Sequence, residues 1–314
     1  MTTATKTAAV TGPQPPSSSR AREGLPTRLE HLVGDVPLFF SKHWANEPVH
    51  MRAHCELSGL ISEQEMWDEL GCGLLSRPYF TLFNEGVRTA IGDMTQTRRV
   101  VGHELSGYVN EAQIRRDFAA GGTFKFNQAE HWHPRIRALV QGMQPHFRGG
   151  LEAFVFLSPP NKTAMQAHTD GAHVFILQVA GQKDWVVGRL DASSHSDSTL
   201  HKGEISPELR MELTLQPGDV LYMPHGCPHY ATAKGGNSIH VAITIEEPTA
   251  VDLANVYLAE FLADPRFKAH MDVHHTQPLA TKVAHFRNTL GAFLREADSA
   301  ELLEAAVTLR RLHK

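Results

Sequence analysis

Two imidazoles and one carboxylate stand at a spacing that suits a metal: His168-Thr169-Asp170, and His229 at the end of Pro224-His225-Gly226-Cys227-Pro228-His229. In a strand, residues i and i+2 point to the same side, so His168 and Asp170 can hold one ion while Thr169 points away. Two imidazole nitrogens and a hard carboxylate oxygen on one face of an octahedral Fe(II) leave the opposite face open to oxygen and a co-substrate. Structural zinc prefers thiolate-rich sets instead. The chemistry implied is oxygenation. An HxD pair alone arises by chance in many proteins, so the second histidine decides the reading.

The elements that must position these groups can be read from pattern. The run 215–229 is a turn at Pro217-Gly218-Asp219, a short buried strand over 220–223 and a second tight turn over 224–228. His229 then opens the returning strand, aimed into whatever the sheet encloses. His225 is the rival ligand, placed at the tip of the turn where solvent reaches it. Strands are expected over 153–157, 168–179, 183–187, 212–215, 220–223, 229–233 and 239–245, divided by Pro, Gly, Asn and Asp turns. Many short strands at such spacing predict a barrel or sandwich.

Before the strands, over 25–150, helical periodicity dominates: Leu38, Phe39 and Phe40 with Trp44, then Ile114 and Phe118, then Ile136, Leu139, Val140 and Met143. A short hairpin, 79–83 with 87–91, turns across Asn84-Glu85-Gly86. After Pro248 helices return. Leu279, Val283, Phe286, Leu290, Phe293 and Leu294 recur at three and four residues, and Leu302, Leu303, Ala306, Val307 and Leu309 follow Asp298-Ser299, which can cap them. These apolar faces need a partner, either the barrel or an identical subunit. The organisation expected is a disordered tail over 1–24, a barrel domain with an N-terminal helical region over 25–249, and a C-terminal helical, possible dimerisation, region over 250–314. The fold class is α+β.

Composition permits this and excludes other classes. A hydrophobic fraction of 41% and a charged fraction of 20% are those of a soluble globular protein, and 314 residues can bury one large core or two modest ones. A formal charge of -4 argues against a broad nucleic-acid-binding surface. No stretch approaches the roughly 20 apolar residues of a membrane helix, and the tail lacks the apolar core of a secretory signal. Cys55, Cys72 and Cys227 form no CxxC pair and no even-numbered disulfide framework, which fits a reducing cytoplasm. Most of the 20 histidines must be ordinary; His270, His274 and His275 fall in an expected loop with no carboxylate at ligand spacing.

The segments His168 to Trp185 (His-Thr-Asp-Gly-Ala-His-Val-Phe-Ile-Leu-Gln-Val-Ala-Gly-Gln-Lys-Asp-Trp), Gly218 to His229 and Ser238 to Ile243 resemble the JmjC-type cupin oxygenases. The closest branch is the ribosomal-oxygenase (cupin-4) group, whose N-terminal segment and approach to the barrel are similar to 39–52, 124–134 and 154–160. The resemblance implies a double-stranded β-helix, that is, a cupin or jelly-roll barrel, using Fe(II) and 2-oxoglutarate to hydroxylate a side chain, with His168, Asp170 and His229 as metal ligands. Members of that group carry a dimerising helical segment followed by a winged-helix domain. The short stretch after Glu247 is not expected to hold both, which leaves room for a specialised peptide or a small-molecule substrate.

Four further residues are candidates for the co-substrate pocket. Ala180-Gly181-Gln182 reads as a turn, so Lys183 starts the next strand, either as a solvated turn lysine or as a cation for the distal carboxylate of 2-oxoglutarate. The resemblance favours the second, because related enzymes place Arg or Lys at this distance after the HxD aspartate. In 239–245 the apolar Ile239, Val241, Ile243 and Ile245 share one face and His240, Ala242 and Thr244 the other, so His240 either lines a ligand cavity or is a satisfied core histidine. Asn127 and Gln178 either line the pocket or satisfy buried backbone groups.

Three classes of function follow. The first is hydroxylation of a side chain in a peptide or protein, by a homodimer. The second is hydroxylation of a free amino acid or other small metabolite, and the third a non-catalytic cupin. N-demethylation is open to the same chemistry, whereas Asp170 occupies the position a halide would need for halogenation.

Overall fold

The computed structural model describes residues 24–84, 87–189, 205–208, 210–273 and 276–312, so the expected tail over 1–24 lies outside them except for Gly24. The first half contains α1 (Glu30–Val33), α2 (Val36–Lys42), β1 (Val49–Arg52), α3 (Glu63–Cys72), β2 (Phe80–Asn84), β3 (Val87–Arg88), β4 (Thr95–Val100), β5 (His103–Val109), α4 (Glu111–Ala119), β6 (Thr123–Phe126) and α5 (Pro134–Met143). Then come β7 (Gly150–Ser158), β8 (His173–Gly188), β9 (Arg210–Leu215), β10 (Asp219–Met223) and β11 (His229–Glu246). Four helices follow: α6 (Ala250–Ala263), α7 (Pro265–Val273), α8 (Leu279–Glu296) and α9 (Ser299–Leu312).

Among the described residues nine strands form one antiparallel sheet in the order β1-β10-β8-β11-β7-β6-β2-β3, with β9 attached to β8. Its two long strands close it into a barrel. The first half of β8 pairs with β10 and with the second half of β11, while its second half, from Lys183 to Gly188, pairs with β9 and with the first half of β11. Each long strand therefore serves both walls of a double-stranded β-helix.

Two expected breaks are corrected here. Ala180-Gly181-Gln182 is not a turn between strands, since β8 runs through it, and 229–233 joins 239–245 as the single strand β11. Gly181 has φ +63°, and a Cβ there would lie 2.1 Å from the carbonyl oxygen of Asn237, so only glycine fits. The pairing register shifts between Lys234 and Ile239 on the facing strand. A positive-φ glycine that looks like a turn in sequence is here a bulge that bends a continuous strand from one wall to the other.

The period-two pattern separates two environments. Leu151, Ala153, Val155 and Leu157 of β7, Phe175, Leu177 and Val179 of β8, and Ile239, Val241, Ile243 and Ile245 of β11 face a large core, to which α2, α3 and α5 contribute Phe39, Met66, Leu70, Ile136, Leu139 and Met143. The alternate residues Phe156, Val174, Ile176, Trp185 and Ala242 form the smaller cluster inside the barrel. Helices cover one face of the sheet, and the other wraps a cavity.

The N-terminal half is less helical than its periodicity suggested. Val49 to Arg52 extends the sheet by pairing with β10, and β4 with β5 forms a separate two-stranded ribbon. The expected hairpin is present, with Phe83 opposite Arg88 and Asn84 opposite Val87. Helix starts are chemically marked: Ser62 and Glu65 form a reciprocal capping box on α3, and the Asp298 carboxylate accepts from the amides of Ala300 and Glu301 at α9. His270 lies on α7 rather than in a loop, and His274 and His275 fall outside the described residues. Among the described residues no helix is long and apolar enough to cross a membrane.

Candidate active site

His168 and Asp170 lie just ahead of β8, in the loop that leads to it, and not within a strand as the i, i+2 argument assumed. Backbone pairing supplies the alignment instead. The amide of His168 donates to the carbonyl of His229 (3.1 Å) and the amide of His229 donates to the carbonyl of His168 (2.8 Å). This closed pair is an isolated antiparallel bridge that sets the two imidazoles side by side, ring centroids 4.4 Å apart. The amide of Gly226, in the turn before His229, donates to the carbonyl of Asp170 (3.1 Å). The main chains of all three residues are thus tied to one another.

The side chains converge. His168 Nε2 is 3.8 Å from Asp170 Oδ1 and His229 Nε2 is 3.6 Å from Asp170 Oδ2. One ligand atom from each residue lies within 4.8 Å of the others, a grouping that small side-chain movements can close on one ion. His168 Nδ1 contacts the carbonyl of Gln166 at 2.8 Å and His229 Nδ1 that of Cys227 at 2.9 Å. A carbonyl can only accept, so each Nδ1 carries a proton and each Nε2 is left as the nitrogen that can ligate a metal. Burial holds His229 below the usual imidazole range despite the pull of Asp170 in the other direction, which keeps it neutral. His225, the rival, lies on the cavity rim with its amide 3.3 Å from His173 Nδ1 and outside this group.

The three residues open on a cavity of about 860 Å³. Lys183 also lines it, 2% exposed, its ammonium donating to Ser158 Oγ (3.0 Å) and to His240 Nδ1 (3.4 Å). Burial pulls that ammonium down to about 7. His240 is held well below the usual imidazole range, by burial first and by the Lys183 charge second, and its ring stacks on Phe156 at 4.6 Å.

Asn127 and Gln178 are corrected: neither is among the residues lining the cavity. The Asn127 amide donates to the carbonyl of Pro78 and to Thr81 Oγ1, so it fastens β2 to the end of β6. Gln178 is fully buried, and its amide nitrogen serves the carbonyls of Ala180 and Gly181 and the hydroxyl of Ser238, where the β8 bulge would otherwise leave acceptors unmet.

Sequence reasoning passed over Lys125, Glu152 and Phe154, and Arg310 of α9, all of which line the cavity. The signal was available for β7, where the face alternate to Leu151, Ala153 and Val155 carries Glu152, Phe154 and Phe156. It was available for Lys125 too, a lysine between the core residues Phe124 and Phe126. Arg310 carried none, because its ion pairs with Glu246 (2.6 Å) and Asp252 (3.8 Å) exist only once α9 docks on the barrel.

A double-stranded β-helix with two histidines and an aspartate at its mouth is a cupin fold with a candidate metal centre. Residues 126–253 match the JmjC domain. The chain is 32% identical over 226 residues to a Drosophila persimilis protein named bifunctional lysine-specific demethylase and histidyl-hydroxylase NO66, covering 69% of this chain and 31% of that one. Identity to ribosomal oxygenase 2 of Bos taurus is 28% over 141 residues, 44% of this chain and 30% of that one. Among solved structures, the ribosomal oxygenase YcfD from Escherichia coli, in complex with cobalt and 2-oxoglutarate, superposes with a TM-score of 0.54 at 17% identity, over 83% of this chain and 66% of that one. Residues 126–253 therefore carry a JmjC domain, and the chain is similar to proteins named as ribosomal oxygenases. It spans about a third of the length of the curated relatives it matches.

Proposed function

We propose that the chain is an Fe(II)- and 2-oxoglutarate-dependent oxygenase that hydroxylates a side chain within a peptide or protein. The observation that carries this reading is the convergence of His168, Asp170 and His229 on a cavity that also holds one deeply buried ammonium, that of Lys183. The residues fit both groups. Two imidazoles and a carboxylate are a donor set for Fe(II) with open positions, and His168 Nε2 is buried with no hydrogen-bond partner, an orphan that a metal would satisfy. Lys183 with the Ser158 hydroxyl offers a dicarboxylate a charged partner in a place where water does not compete.

Bound Fe(II) and 2-oxoglutarate supply the oxidation of a C–H bond, with succinate and carbon dioxide as co-products. The protein's share is placement. Lys183 holds the distal carboxylate, the carbonyls of Gln166 and Cys227 keep both imidazoles in the ligating tautomer, and Phe156, Val174, Ile176 and Ala242 exclude water from the cavity. The relatives' names speak of histidyl hydroxylation, lysine demethylation and ribosomal oxygenation, which supports a protein side chain as the substrate. The three cysteines are free, two of them buried, which supports a cytoplasmic setting.

The test is succinate formation from 2-oxoglutarate, stimulated by a pool of candidate peptides, with products read by mass spectrometry. Gain of one oxygen on a peptide side chain is the expected result. Oxidation of a free amino acid with its peptides untouched transfers the reading to a small-molecule hydroxylase, and absence of succinate under all conditions overturns it.

The same reading includes a homodimer built on the C-terminal helices. The helix α8 buries Thr289 and Phe293 within the chain, while Leu279 (76%), Val283 (53%) and Leu294 (53%) stand exposed. Such a face is costly in water, and a second copy can cover it. Deletion of residues 279–314 is expected to give monomer or insoluble protein. A full-length chain that light scattering shows as a monomer at micromolar concentration overturns the dimer alone.

A further inference from the structure

Lys125 is the group in the cavity that the chemistry above leaves without a task. It sits on β6 opposite Phe156 of β7, and its ammonium lies 3.9 Å from the centre of the Phe154 ring and 5.2 Å from that of Phe156. Aromatic faces attract a cation, yet they accept none of its three N–H bonds in the manner of an oxygen. Lys125 makes no hydrogen bond or ion pair among the described residues, in contrast to Lys183, which has Ser158 and His240. Arg310, the other cation lining the cavity apart from Lys183, is engaged by Glu246 and Asp252. The Lys125 ammonium is drawn down to about 8 by burial, with Asp170 and Glu152 pulling the other way and Arg88 adding to the fall, so it is still largely charged at neutral pH.

A half-buried ammonium that lines a cavity with its N–H donors unmatched by protein acceptors is suited to take an acceptor from a ligand. Its complement is an oxygen acceptor with negative charge. Resting on the oxygenase reading, we propose that Lys125 is the substrate-reading residue of the pocket, and that it takes the carboxylate of an acidic side chain, placing a nearby carbon of that side chain at the metal centre. Phe154 and Phe156 position the ammonium by its alkyl stem and cation–π contacts, and so leave the N–H bonds directed to the ligand. The choice of a full carboxylate over an amide follows from the charge: a carboxylate answers both the charge and the N–H donors, an amide oxygen the donors alone.

The test uses the full chain, loaded with Mn(II) and 2-oxoglutarate in the absence of oxygen, and blocked tripeptides with Asp, Glu, Asn, Gln, Lys, Arg or Leu at the centre, together with the matching N-acetyl amino acids. Binding is read by saturation-transfer NMR. The wild type should prefer the Asp or Glu probes, Lys125→Met should lose that preference by about tenfold or more, and Lys125→Glu should invert it toward Lys and Arg. The thermal shift produced by 2-oxoglutarate should persist in both variants, which separates lost recognition from lost folding. Equal binding of acidic and basic probes by the wild type, or an acidic preference that survives both substitutions, overturns the proposal. A preference for Asn and Gln that disappears with Lys125→Met overturns the carboxylate and reassigns the acceptor to an amide. Preference confined to the N-acetyl amino acids sinks the peptide reading while leaving Lys125 in its role.

Discussion

Asp170→Ala is expected to abolish turnover and to weaken Mn(II) or Fe(II) binding by on the order of a hundredfold or more, since even loss of an outer-shell partner costs roughly tenfold to a hundredfold. On the proposed ligand set Asp170 would contribute the charged ligand, and two imidazole donors alone would hold a hard dication weakly. The fold should survive. The Asp170 carboxylate is 38% exposed, and the bond that ties this loop to the Gly226 turn uses the backbone carbonyl of Asp170, which alanine keeps. A stability change within about 1 kcal/mol is therefore expected, as for an exposed ion-pair partner. Isothermal titration with Mn(II), beside a thermal melt, separates the two effects. A variant that binds metal as tightly as the wild type, or that still forms succinate, removes Asp170 from the ligand set.

The clustering of His168, Asp170 and His229 was legible because the turn that carries His229 has its own grammar. Pro, Gly and Pro at 224, 226 and 228 force a reversal that starts β11 at His229. His168 and Asp170 do come together, but for a different reason from the one the HxD spacing suggested. His168 and Asp170 owe their alignment to backbone bonds with 226–229 rather than to strand alternation. Alternation did expose the faces of β11, and through them His240. It failed at 180–182 and 234–238, because a bulge and a turn use the same glycines and only the partner strand tells them apart. The ribbon of β4 and β5 was unreadable for another reason: Thr95 to Val100 is Thr-Gln-Thr-Arg-Arg-Val, with no buried face to impose a period on the sequence. Asn127 and Gln178 were ambiguous in principle, since an inward amide looks the same whether it meets a ligand or a main-chain carbonyl.

Lys183 should make 2-oxoglutarate binding depend steeply on pH. In the ligand-free protein burial holds its ammonium near 7, whereas a carboxylate seated against it raises that value, so binding takes up a proton wherever the free amine is neutral. The dissociation constant should be nearly flat below about pH 7 and then rise by about tenfold per pH unit, up to the pKa of the complex. Stability of the ligand-free protein should move the opposite way. Between about pH 7 and pH 10 the unfolded chain holds a proton that the folded chain does not, so this lysine's destabilising effect is full below pH 7 and fades as pH rises. Lys183→Met keeps the volume and removes the buried amine. It should raise the melting temperature of the ligand-free protein, most of all at low pH, while weakening 2-oxoglutarate by about tenfold to more than a hundredfold and flattening the pH profile. Calorimetry with Mn(II)-loaded protein in buffers of different ionisation enthalpy reads the proton uptake directly. A dissociation constant that stays level from pH 6 to pH 9 in the wild type, or one that Lys183→Met leaves unchanged, would place the distal carboxylate elsewhere in the cavity.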